Sequence, residues 1–107
     1  MRVEFAEGFE DDMDRIREHL VSHNANVEAR LAEIFQALRI LQRNPYLGHE
    51  VEAGLRELVI GDKSRHRGYL VLYDVYEEPV EVSDDETEAR GLVVVNAIRS
   101  QHESGYH

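Results

Sequence analysis

Residues 92–98 read LVVVNAI. The run is too short for a typical helix and rich in β-branched side chains, so it predicts a buried strand, covered on one side by helices and partly covered on the other. Working outward, Gly68 to Tyr76 (GYLVLYDVY) is a second strand dense in aromatic and β-branched residues. Its alternation sets Tyr69, Val71, Tyr73 and Val75 on one face and Leu70, Leu72 and Tyr76 on the other, so at least one tyrosine faces outward. Leu55 to Ile60 (LRELVI) predicts a third strand, with Gly61-Asp62 beginning the connection to the next. The stretch 77–90, EEPVEVSDDETEAR, is too acidic and too broken by Pro79 to join a core, and reads as a long solvated loop.

The N-terminal half has a different period. Arg2 to Ala6 alternates as a short strand with Val3 and Phe5 on one face, and then Phe9, Met13, Ile16 and Leu20 recur at spacings of three and four. That stripe predicts an amphipathic helix whose opposite face carries Asp12, Arg15 and Glu18. Asn24 is the expected N-cap of a second helix with a wide apolar face of Val27, Leu31, Ile34, Phe35, Leu38 and Leu41. Arg39 and Arg43 suit its C-terminus, and Asn44-Pro45 with Gly48 ends it. The order strand, helix, helix, strand, strand, strand predicts a single α+β domain over residues 1–107. In it, an antiparallel helix hairpin packs on a mainly antiparallel sheet of about four strands.

Composition narrows the function. With 42% hydrophobic and 32% charged residues the chain has the balance of a folded globular domain, not of a disordered one. It has no cysteine, and no pair of its histidines stands at a helical ligand spacing beside a third ligand, so neither disulfides nor a metal site is expected. The start, MRVEFAEGFE, lacks the basic and apolar regions of a secretory signal and no apolar run approaches a membrane span, which predicts a cytoplasmic protein. A net charge of −10 opposes indiscriminate nucleic-acid binding. The charge is uneven, however. Acid is dense from Glu4 to Asp14 and from Glu77 to Glu88, while Arg56, Lys63, Arg65 and Arg67 cluster between them.

Three stretches, HNANVEARLAEIFQALRILQRNPYLG (23–48), the pair GLRELVI (54–60) and GYLVLYDV (68–75), and VVVNAIRSQHESGY (93–106), resemble the RelE/ParE toxin superfamily of plasmid-stabilisation proteins. The last is the most specific: Ile98-Arg99 leaves a buried strand and is followed by Gln-x-Glu-x-Gly-Tyr. The resemblance implies the toxin of a type II toxin–antitoxin pair. Such a toxin binds a cognate antitoxin and poisons either DNA gyrase, as the ParE branch does, or mRNA on the ribosome, as the RelE branch does. No cofactor is implied, and a homodimer is a further expected assembly.

RNA cleavage needs cations at the scissile phosphate and a positioned acid–base pair. Arg56, Arg65, Arg67 and Arg99 are the candidates for the first role, and for target binding generally; Arg99, His102 and Tyr106 are the catalytic candidates if the chain is RelE-like. Each has a plainer role available. Arg56 is expected on an outer strand, Arg65 and Arg67 in a solvated connection, His102 in a solvated tail and Tyr106 as a packing cap. Arg99 carries the strongest expectation, because a charge just beyond the most buried strand either pairs or lines a concave surface. Acidity favours a ParE-like, non-enzymatic poison, or a family member that binds antitoxin alone, over an endoribonuclease.

Overall fold

The computed structural model describes residues 2–23, 26–61, 68–77 and 91–101. Along the chain they form β1 (Arg2–Phe5), α1 (Phe9–Ser22), α2 (Val27–Arg43), β2 (His49–Glu52), β3 (Leu55–Ile60), β4 (Tyr69–Glu77) and β5 (Gly91–Ser100). The strands make one five-stranded sheet in the order β1-β5-β4-β3-β2. Only β1 runs parallel to its neighbour, with Arg2 opposite Leu92 and Phe5 opposite Val95; the other pairings are antiparallel. The α+β arrangement is the one expected, with one strand more than expected. The extra strand, β2 (HEVE), is exposed throughout, so it lacks the apolar alternation that marks a strand in sequence.

Both helices lie on one face of this sheet. Phe9, Ile16 and Leu20 of α1 and Ile34, Leu38 and Leu41 of α2 close over Leu58, Ile60, Tyr69, Val71, Tyr73, Val93, Val95 and Ile98. Each fully buried aliphatic side chain contributes about 1.5–3 kcal/mol relative to exposure. Two helical assignments need correction. Phe35, placed on the apolar face of α2, is 46% exposed, because the buried stripe is the narrower set Ile34, Leu38 and Leu41. The N-cap of α2 is Asn26, in extended backbone, whose Oδ1 accepts from Ala29 N–H at 3.1 Å; Asn24 lies outside the described residues.

The connection from α2 into β2 is tied down from above and below. Tyr73 Oη accepts a hydrogen bond from Gly48 N–H at 2.8 Å. A Cβ at Gly48 would stand 2.6 Å from that same oxygen and 2.7 Å from Glu57 O, so no larger residue fits. The β2–β3 turn uses Gly54 at φ +80°, in the left-handed region that favours glycine.

Candidate target-binding face

The position of Arg99 is set by an irregularity in β5. Val71 pairs with Ile98 and Leu72 with Ala97, but Tyr73 pairs with Val95, so Asn96 is an extra residue on β5. Strict alternation from Val93 and Val95 would carry Ala97 and Arg99 to the helix-covered side. The bulge reverses the parity: Val93, Val95 and Ile98 enter the core, while Ala97 and Arg99 join Leu70, Leu72 and Asp74 on the other face. Asn96 Nδ2 donates to Asp74 Oδ2 at 2.6 Å, which ties the bulged residue to β4.

The bulge also turns Ile98 N–H toward the margin of β5 where β1 has ended. There Asp12, expected on the solvent face of α1, is buried to 3% exposure and its Oδ2 accepts from Ile98 N–H at 3.1 Å. Its other oxygen takes a 3.1 Å ion pair from Arg15, one turn along α1. A buried carboxylate needs such partners to offset lost hydration. Asp12 thus fixes α1 to the strand end from which Arg99 projects. Its place in an acidic first turn, beside Glu10 and Asp11, disguised it in the sequence. On the other margin of β5, Gln101 N–H donates to Gly68 O at 3.0 Å and Gly68 N–H donates to Gln101 Oε1 at 3.1 Å.

Arg56 belongs to a separate cluster. It is paired with Tyr73 across β3 and β4, whereas Arg99 is paired with Leu70, so the two arginines stand on opposite faces of the sheet. Arg56 Nη1 donates to Gly48 O at 2.6 Å, and its guanidinium lies 4.9 Å from the centre of the Tyr46 ring. Tyr46 in turn donates its hydroxyl proton to Glu77 Oε1. That hydrogen bond, more than any other cause, raises the Tyr46 pKa above its usual value. Burial raises the Tyr69 and Tyr73 pKa values as well. The group Tyr46, Gly48, Arg56, Tyr73 and Glu77 locks the α2–β2 connection onto the sheet. Tyr46 had no distinguishing pattern in the sequence.

Of the expected site residues, Arg56 and Arg99 are therefore not brought together. Arg65, Arg67, His102 and Tyr106 lie outside the described residues. Around Arg99, the face of the sheet away from the helices carries Leu72 and Val94, half-buried, and Leu70 and Ala97, buried, with Arg2 as a further cation and Glu4, Glu57 and Asp74 as carboxylates. Among the described residues no group of three His, Asp or Glu side chains could hold a metal ion, and no helix is long and apolar enough to cross a membrane. The helix side offers two shallow apolar grooves flanking α2. One runs between α2 and β3, lined by Ala37, Ile40, Leu47 and Leu58; the other lies between α2 and β1, lined by Val3, Phe5, Phe35 and Leu38.

Residues 3–103 match the family model described as the ParE toxin of type II toxin-antitoxin system, parDE. The chain belongs to the ParE toxin family. This ParE-family chain matches no curated protein and no solved structure. The matched range includes every strand and helix described above apart from Arg2, so the family assignment extends to the bulge, to Asp12 and to Arg99. Membership makes the protein the toxin of a type II pair, with an antitoxin as its partner.

Proposed function

We propose that this ParE-family toxin arrests growth by binding a cellular protein target such as DNA gyrase through the face that bears Arg99, and that a cognate antitoxin neutralises it. The family match over residues 3–103 carries the reading. The charge on the open face supports a protein target: Arg2 and Arg99 are set against Glu4, Glu57 and Asp74, in a chain of net charge −10. A phosphate backbone is held mainly by concentrated Lys and Arg, and the described part of this surface is instead mixed in charge. In the sequence Arg65 and Arg67 precede Gly68 and His102 follows Gln101. They are the candidates to extend the contact.

The antitoxin has its own surface available in the apolar groove between α2 and β3, where a segment that folds on binding could bury Ile40 and Leu47. The test is expression without antitoxin, following DNA and protein synthesis separately, with a supercoiling assay on purified gyrase. Replication should stop first and supercoiling should be inhibited. Immediate arrest of translation with cleaved mRNA would assign the chain to the ribonuclease branch instead, and unaffected growth would mark a family member that only binds antitoxin.

A further inference from the structure

Among the described residues no strand pairs with the outer edge of β1. Ala6 N–H donates to Val95 O at 2.9 Å, so strand alternation turns the peptide groups of Glu4 and Arg2 toward β5 and those of Val3 and Phe5 to the open edge. Such an edge is a template for another strand unless proline, a bulge, lysine or a covering element blocks it. The sequence RVEF has none of the first three. The adjoining groove of Val3, Phe5, Phe35 and Leu38 leaves Phe5 49% and Phe35 46% exposed, with Arg39 and Gln42 at its rim.

We propose that β1 pairs antiparallel with β1 of a second copy of this chain, joining the two sheets across a two-fold axis at Val3. Charge selects both the occupant and the register. Placing Glu4 opposite the partner's Glu4 would set like charges face to face. Placing Phe5 opposite the partner's Phe5 would set Val3 against Glu7 and carry Arg2 to Gly8, where the chain already turns into α1. With Val3 opposite the partner's Val3, Arg2 faces the partner's Glu4 and Glu4 the partner's Arg2. The outward peptide groups of the two Val3 residues then exchange a pair of hydrogen bonds. Arg-Val-Glu is thus self-complementary under a two-fold axis, the condition an isologous interface must satisfy. Within one copy Arg2 and Glu4 already pair at 3.2 Å, on the face opposite Val3 and Phe5, so the same charges need only be shared across the seam.

Stable interfaces bury about 1,200–2,000 Å² in total, more than a four-residue edge provides. The α2–β1 grooves of the two copies, both on the helix side and both beside the seam, supply the remainder by withdrawing Phe5 and Phe35 from water.

The experiment is sedimentation equilibrium of the full chain over a range of concentrations, for the wild type and for Arg2→Glu and Glu4→Arg. These side chains are 73% and 53% exposed, so circular dichroism should show both variants folded. The wild type should dimerise, and each single variant should dissociate at least tenfold more readily. Mixing the two variants should restore a dimer, and the doubly exchanged Arg2→Glu/Glu4→Arg chain should dimerise by itself. A wild type that stays monomeric overturns the proposal. So does a dimer indifferent to both changes, which uses another surface, or single variants that fail to complement each other, which rules out the register. If β1 amides gain hydrogen-exchange protection only in a complex with a co-expressed partner protein, the edge belongs to that partner. Association is read without reference to toxicity, so the outcome is independent of the target proposed above.

Discussion

The two faces of the sheet treat similar side chains in opposite ways. On the helix side an arginine, Arg56, is held by Gly48 O and the Tyr46 ring, and a tyrosine, Tyr73, is wholly buried and hydrogen-bonded to Gly48. On the other side Arg99 is half-buried opposite Leu70 and donates to Ser100 O at 3.4 Å, and Tyr76 of β4 is 55% exposed. Residue type alone therefore says little about role here. The side of the sheet to which the backbone assigns a residue decides which neighbours it meets, the helices on one side and Arg99 with its surrounding carboxylates on the other.

That contrast should be sharpest in stability. Ile34→Ala, which empties a fully buried site on the helix side, should cost about 2–5 kcal/mol by urea denaturation, whereas Leu72→Ala on the open face should cost clearly less. Equal costs would mean that the open face is as tightly covered as the other. Asp12→Ala should come next, at about 1–3 kcal/mol, because it leaves the buried Ile98 N–H without an acceptor. A near-neutral result would show that the strand end does not depend on α1.

Tyr73→Phe removes the acceptor for Gly48 N–H and should cost about 1 kcal/mol near neutral pH. The tyrosine pKa shifts add a pH signature. Burial raises the Tyr69 and Tyr73 pKa values above 10.0, so the folded state holds these protons more tightly than the unfolded chain does. Their contribution is complete below pH 10 and is lost as pH rises through the folded values, so unfolding measured from about pH 8 to about pH 11 should show falling stability. Tyr73→Phe should show a smaller fall, and an unchanged slope would assign the effect to other groups.

The smallest expected change in stability accompanies the largest in function. Arg99→Ala should shift stability by about 0.5–1 kcal/mol yet abolish growth arrest, while Arg56→Ala should loosen the α2–β2 connection and leave arrest intact. If both substitutions abolished arrest in equal measure, the separation of the two faces would lose its functional meaning.

Much of this organisation was legible in the sequence, because the buried stripes of α1 and α2 and the alternation in β3 and β4 are periodic. Three features were not. The four exposed residues of β2 form a strand through backbone pairing with β3, which leaves no apolar signature. Asp12 looks like any first-turn acid until the fold brings Ile98 N–H to it from the far end of the chain. The bulge at Asn96 is hidden because VVVNAI offers apolar residues on both faces in either register, Val93, Val95 and Ala97 on one and Val94 and Ile98 on the other, and the side on which Arg99 emerges is hidden with it. Arg99 stood out as a residue leaving a buried strand, but its separation from Arg56 depends on tertiary register that no local pattern encodes.

The parallel pairing of β1 with β5 also has a consequence in time. Among the described elements the first strand in chain order has the last as its neighbour, with Arg2 opposite Leu92 and Asp12 bonded to Ile98 N–H. Contacts so distant in sequence form late, because the intervening chain must first be closed into a loop. A nascent chain halted before Gly91 therefore holds an unpaired β1 and a carboxylate with no amide to receive. The face bearing Arg99 is complete only once β5 has been made, so Arg99 and the strands around it come together in a single late step of folding.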